Sequence, residues 1–308
     1  MTVLVTGVYG FIGFSVAKKL LEQGHTVIGL ERLSNAISEK KPRQAILEKQ
    51  KNFKVFDIDL TNFQATKNLL IPLKFDTIVH LAGQYSKAYS EEIMLRFIDG
   101  NVRTWMHLMH IAYMKGIKRV VYASSTFVPP TGITTSMYGA TLMFREIASP
   151  TYNKMGIETV AIRYSTTYGP YMRADSPAAQ VMSKIYKKRP INAEGGGFGN
   201  AYSWVYIDDA VEITLRSLTY SLPTQHVCVT ACANDTARDL ETCTHLIEQY
   251  SGIPAIIQGT YPPIGIQKKP HAQLEELQTI LQYNPAITLP EGIKDYVSWY
   301  LKTGKEYY

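Results

Sequence analysis

Gly7, Gly10 and Gly13, in VLVTGVYGFIG (3–13), have the types and spacing to hold a phosphate. The first would permit a tight turn after a β-branched run. The second would let a pyrophosphate come against the backbone, and the third would let the next helix pack closely on the strand. Amide N–H groups at that helix N-terminus, at the positive end of its dipole, attract an anion. Glu31 ends the following apolar run about 20 residues on, where the ribose hydroxyls of a dinucleotide would be bound. Its carboxylate would repel a 2′-phosphate, which favours NAD over NADP. Arg32 beside it could instead accept that phosphate, so both cofactors stay open on these residues. Asp57, in VFDID, reads equally as an adenine contact after a strand or as a strand-end turn aspartate.

Other chemistries find less support. Cys228, Cys232 and Cys243 have no second cluster to complete a metal site, and an odd count behind MTVLVTG, with no secretion signal, suggests reduced structural thiols. His107 and His110 could share a helical face, but no carboxylate or cysteine joins them, so no metal is expected. Much of the net charge of +6 lies in EKKPRQAILEKQK (39–51), which reads as a solvated loop and helix. It lacks the aromatic interleaving of a nucleic-acid surface, so no nucleic-acid partner is expected. No apolar run is long enough to span a bilayer, and a soluble cytoplasmic protein is expected.

Strands and helices in alternation must position these residues. TVLVTG, HTVIGLE, NFKVFDIDL, FDTIVHLAG, KRVVYASST and IETVAIRYS read as six strands. Between them fall helical stretches, including GFSVAKKLLEQG, NVRTWMHLMHIAYMKG and YGATLMFREIASPTYNKMG, each closed by glycine. This order specifies an α/β fold, a Rossmann-like doubly wound parallel sheet. After about residue 164, Pro, Gly and Tyr become frequent, and WVYIDDAVEITLRSL reads as a strand and a helix returning to the sheet. The expected organisation is a cofactor-binding domain at 1–163, rejoined by 204–230, and a smaller C-terminal substrate-binding lobe at 164–203 and 231–308. Its 308 residues and 45% hydrophobic content suffice for both cores.

On these motifs the chain resembles the extended short-chain dehydrogenase/reductase family, in particular its NAD-dependent sugar-nucleotide epimerases and dehydratases. The close glycine spacing is one mark. The others run in order as LERLSN, FDID, HLAG (80–83), Asn101 in GNVRTW, YASST (122–126), YGAT (138–141), RYSTTYGP (163–170) and VYIDDAV (205–211), which covers nearly the whole chain. The resemblance implies that NAD lies on Gly7, Gly10, Phe11, Ile12 and Gly13, and reaches Glu31 and Arg32. It further implies adenine contacts at Asp57 and Ile58, and a floor made by Leu81, Ala82 and Gly83. Tyr138 would touch the cofactor and act as general base, while Ser125 hydrogen-bonds the reacting sugar hydroxyl. Such enzymes oxidise a sugar carbon transiently and pass through a keto intermediate. They commonly pair as homodimers through two helices of each subunit, and WMHLMHIAYM with LMFREIA would suit that interface.

Departures from the family pattern cluster around the reaction. A lysine follows the tyrosine by four residues in the family, bonding the nicotinamide ribose and lowering the phenol pKa; here the residue is Leu142. A phenol titrates near ~10, so without help little of it is ionised at neutral pH. Arg145, seven residues after Tyr138, reads either as that missing charge or as a surface arginine. Thr126 and Phe127 stand where dehydratases carry an Asp-Glu pair, which speaks against ordinary 4,6-dehydration. On the substrate side, Thr166 replaces an asparagine and Tyr202 replaces an arginine that grips the diphosphate. Lys268 or Lys269 either restores one positive contact or is a solvated pair. The favoured expectation is an NAD-dependent epimerase or oxidoreductase acting on a nucleotide-linked sugar. A cofactor-holding pseudoenzyme that partners an active protein, and a sugar-nucleotide dehydratase with a non-standard base, are the alternatives.

Overall fold

Runs of Val, Ile and Leu between glycine-rich turns become strands buried on both faces, because crossover helices cover each side of a parallel sheet. The computed structural model describes residues 1–33, 40–85, 90–129, 132, 134, 136–194, 202–224, 226–232, 239–260 and 274–304. The chain opens with β1 (Thr2–Thr6), α1 (Phe11–Glu22), β2 (Thr26–Glu31), α2 (Lys40–Leu47), β3 (Phe53–Asp57), α3 (Phe63–Leu70) and β4 (Thr77–His80). It continues through α4 (Glu91–Phe97), a π-helical segment (Ile98–Arg103), α5 (Thr104–Lys115), β5 (Arg119–Ser125), α6 (Met137–Asn153) and β6 (Glu158–Tyr164). Then come β7 (Thr166–Tyr168), α7 (Pro177–Tyr186), β8 (Ile191–Asn192), β9 (Trp204–Tyr206), α8 (Ile207–Thr219) and β10 (His226–Ala231). The last elements are α9 (Leu240–Ser251), β11 (Ile257–Gln258), α10 (Leu274–Leu281) and α11 (Leu289–Lys302).

All six expected strands pair in parallel, and β10 adds a seventh, in the order β10-β6-β5-β4-β1-β2-β3. Successive side chains alternate across it. Val3, Val5, Val79, Val121 and Val160 face Phe14, Ala17, Leu20, Ala210 and Ile213 of α1 and α8. Leu4, Ile78, Val120, Tyr122 and Ala161 face Trp105, Leu108, Met109 and Ala112 of α5. The chain starts in the middle of the sheet, winds out to β3 and crosses back to β4. The carboxyl ends of β1 and β4 therefore flank a crevice, the place where such sheets bind ligands. This is the expected doubly wound Rossmann-like fold.

Within 204–230, α8 packs on the main sheet and β10 enters it, whereas β9 pairs with β7 in a separate two-stranded sheet. A second small sheet joins β8 to β11, and α9 packs against α7 and α11.

Candidate active site

The glycine loop is built as its spacing requires. Gly7 leaves β1 with φ +66°, a conformation side chains disfavour, and its N–H donates to the Leu30 carbonyl at 2.9 Å. A Cβ on Gly13 would stand 2.2 Å from the Gly7 carbonyl oxygen, so only glycine lets α1 start this close to β1. A Cβ on Gly10 would meet only Gly7 and otherwise project into open space above the loop. Phe11 and Ile12 open α1, whose N-terminus no side chain among the described residues caps, an arrangement that suits a pyrophosphate. Glu31, 9% exposed at the end of β2, accepts from the Tyr9 N–H at 3.0 Å and pairs with Lys40 at 3.2 Å. Its remaining acceptor capacity suits ribose hydroxyls. Arg32 turns away to Asp59. Asp57 accepts from the Leu33 N–H at 2.9 Å and so shapes the β2 exit, while the Ile58 N–H donates to the Glu31 carbonyl.

In the basic stretch Lys41, Lys49 and Lys51 are exposed, as expected of a solvated helix and loop, but one residue departs from that reading. Arg43 is 2% exposed and donates to the Tyr9 carbonyl at 2.9 Å, propping the glycine loop from behind. A lone arginine in a polar helix carries no sequence signal for that contact.

Leu81, Ala82 and Gly83 leave β4 along the other wall. The Ala82 N–H donates to Thr6 Oγ1, which also bonds His80 Nδ1 at 2.7 Å. Burial pushes the His80 pKa well below its ordinary value, so that imidazole is neutral. Asn101, buried in the π-helical segment, clamps this wall: Oδ1 accepts from the Gln84 N–H at 2.7 Å, and Nδ2 donates to the Gln84 carbonyl and to Thr141 of α6. Segments of this kind recur at functional sites.

Ser125 ends β5, and Tyr138 lies in the first turn of α6, whose N-terminus Ser136 caps by accepting from the Gly139 N–H. The Ser125 hydroxyl lies close enough to the Tyr138 phenol to lower its pKa. Gly139 permits this, because a Cβ there would stand 2.5 Å from the Phe127 carbonyl oxygen. Tyr85, Phe97 and Phe127 surround the phenol ring, with centroids 5.2, 5.9 and 5.8 Å away. Desolvation by this cage raises the Tyr138 pKa. Arg145 is the strongest opposing influence, followed among the lowering ones by Ser125 and Arg173.

Arg145 is a correction. It is not a surface residue but 1% exposed, with Nε donating to the Asn101 carbonyl at 2.8 Å and Nη1 to the Ala123 carbonyl at 3.0 Å. Burial lowers its pKa to about 10, so it stays protonated at neutral pH. Leu142 is buried as well, at 3%.

The described substrate-side residues Ser125 and Thr166 lie at and beyond the carboxyl ends of β5 and β6. Ser125 is in register with Tyr164, and Thr166 begins β7 two residues beyond, opposite Trp204. Tyr202 packs on Trp204 with ring centroids 5.2 Å apart. Thr126 is exposed at the exit of β5. Lys268 and Lys269 lie outside the described residues.

A crevice at the β1–β4 switch, a glycine cradle and a tyrosine–serine pair on its rim define a dinucleotide-dependent enzyme of the Rossmann class. Residues 3–229 match the NAD dependent epimerase/dehydratase family, and the chain belongs to that family. It is 30% identical to the UDP-glucuronate 4-epimerase of Thermodesulfobacterium geofontis over 96% of this chain and 95% of that protein. UDP-glucuronate 4-epimerase 4 of Arabidopsis thaliana is 28% identical over 98% of this chain and 75% of its own length. Among solved structures, UDP-glucuronic acid 4-epimerase from Bacillus cereus, in complex with UDP-glucuronic acid and NAD, superposes with TM-score 0.87 at 22% identity, covering 98% and 99% of the two chains. The Thermus thermophilus UDP-glucose 4-epimerase complex with NAD gives TM-score 0.83 at 21% identity over 98% and 100%.

Proposed function

We propose that this chain is an NAD-dependent 4-epimerase of a UDP-linked sugar, with UDP-glucuronate the first candidate substrate. The observation that carries this reading is the meeting of Tyr138 and Ser125 on the rim of the cofactor crevice, in a chain whose relatives along its length include UDP-glucuronate 4-epimerases. NAD, when bound on the glycine loop, supplies the hydride acceptor and donor. Ser125 holds the C4 hydroxyl. Tyr138, as phenolate, takes the hydroxyl proton while C4 becomes a ketone, and returns it once the opposite face is presented. Residues 1–163 and 204–230 hold the cofactor, and 164–203 with 231–308 hold the nucleotide sugar. Thr166 and Tyr202 offer hydroxyls to the diphosphate in place of a guanidinium, and Lys268 is the proposed cation there.

A homodimer formed through α5 and α6 is part of the same proposal. Met106 and Tyr113 on α5, and Phe144 and Ile147 on α6, are exposed, Ile147 by 71%. The cytoplasm suits three free cysteines, of which Cys232 and Cys243 are buried. No helix among the described residues is long and apolar enough to cross a membrane.

The experiment is turnover of UDP-glucuronate, UDP-glucose and UDP-N-acetylglucosamine by the purified protein with NAD, beside GDP-, CDP- and dTDP-sugars. Conversion of a UDP-sugar to its C4 epimer is expected, with Tyr138→Phe lowering kcat by roughly 10²- to 10⁴-fold. Failure on every UDP-sugar, with NAD demonstrably bound, contradicts the reading.

A further inference from the structure

Arg145 returns to the Tyr138 side of α6 after two turns, and helical side chains lean toward the helix N-terminus, so its long stem reaches back along that face. Two of its nitrogens are engaged by the backbone of Asn101 and Ala123. The third, Nη2, is buried with no hydrogen-bond partner among the described residues. A Cβ placed on Gly83 would stand 3.7 Å from it, and the adjoining Ala82 backbone is the wall that a Cβ on Gly7 would strike at 3.0 Å. The unpaired donor of a buried cation is thus turned toward the segment that borders the cofactor loop. Stranding such a donor destabilises the fold, and buried polar groups normally have partners. A ligand that completes it would account for its retention.

We propose that Arg145 is the cation of this active site, its Nη2 bonding the nicotinamide end of the cofactor while its charge stabilises ionised Tyr138. This rests on the reading of Tyr138 as the base. Four groups act on that phenol: Arg145 from α6, Ser125 from β5, Tyr85 after β4 and Arg173 before α7. Arg173 is half-exposed and already paired with Asp175 at 2.7 Å, which leaves Arg145 as the buried positive charge among them. Leu142 then needs no charge of its own, and its burial at 3% follows from the guanidinium entering from one turn deeper. Arginine suits the position better than lysine would, because its fixed fork serves two carbonyls and still presents a third donor.

The test is a cycle of Arg145→Gln, Arg145→Lys, Leu142→Lys and the double variant Leu142→Lys/Arg145→Gln, each checked for folding by its melting temperature. Two quantities are read: the NAD dissociation constant by calorimetry, and the pH dependence of kcat/KM for the UDP-sugar. Arg145→Gln should weaken NAD roughly ten- to hundred-fold, the range for a lost charge-assisted hydrogen bond. Because the phenolate is the active form, the rate rises with pH through the Tyr138 titration. Loss of the positive charge moves that rise to higher pH. Arg145→Lys keeps the charge, so the rise stays near its original pH while NAD weakens. Leu142→Lys should lower activity in the unmodified protein, where two cations would crowd one buried space, yet restore NAD affinity and the pH profile when Arg145 is glutamine. Unchanged NAD affinity with an unshifted profile in Arg145→Gln overturns the proposal, as does a double variant no better than Arg145→Gln. If Arg145→Gln does not fold, Arg145→Lys decides, and NAD affinity equal to that of the unmodified protein overturns it. Should no UDP-sugar be turned over at all, the functional reading fails, while the NAD affinities of these variants still judge Arg145.

Discussion

Asn101 joins more of the active site than any residue whose chemistry would be called catalytic. Its amide holds both backbone groups of Gln84 and reaches Thr141, and its own carbonyl accepts from Arg145. One side chain therefore ties the wall after β4 to α6, the helix that carries Tyr138. Asn101→Ala strands these buried partners, and a loss of about 2–3 kcal/mol in unfolding free energy is expected, measured by denaturant titration. A change within error would show that water replaces the amide. The sequence marks Asn101 as part of a motif but says nothing of this clamp, because its partners lie 17 and 40 residues away. Arg145 was half legible: its spacing from Tyr138 is in the chain, but its burial depends on the π-helical segment passing over it.

At the scale of the element, α6 departs from the rule that apolar residues face inward. Arg145, Glu146, Ser149 and Asn153 are buried, whereas Phe144 and Ile147 are exposed. Periodicity alone assigns the wrong face, since the inner side meets backbone and charge instead of a greasy core. Glu146 is held there by the Ser124 hydroxyl and by Nε and Nη2 of Arg163, which donate to its two carboxylate oxygens. The β1 loop is the opposite case. Its three glycines are legible because each answers a steric demand that recurs wherever a pyrophosphate meets a helix N-terminus. Gly139, inside the YGAT motif, answers a different demand, the close approach of the Phe127 carbonyl and the Thr134 hydroxyl to α6. Gly139→Ala would drive a methyl into the Phe127 carbonyl and the Thr134 hydroxyl, costing about 1–3 kcal/mol and displacing Phe127 from the Tyr138 ring. Thermal melting together with kcat checks it; an unchanged melting temperature would mean that the loop yields freely.

Across the whole molecule, the sheet was readable and the substrate end was not. Strand and helix alternation follows from local patterns, so six strands and a doubly wound parallel sheet are legible in the sequence. Thr166 and Tyr202 come together only because β7 pairs with β9, a contact between short strands far apart in the chain. Exposed apolar residues on α6 and α5 are those that the proposed homodimer would cover. Light scattering is expected to show a dimer, and Ile147→Glu a monomer, because a buried unpaired carboxylate at the centre of a helical interface opposes association. A monomeric unmodified protein would contradict this assignment. So would a dimer that tolerates the glutamate.

Oxidation and reduction of C4 within one site leave an isotopic record, which UDP-glucuronate carrying deuterium at C4 would reveal. A C4 epimer that retains the deuterium at C4 is expected, formed without added NADH and absent with Tyr138→Phe. An epimer whose deuterium has been replaced by solvent hydrogen, or no epimer with NAD bound, would contradict this mechanism.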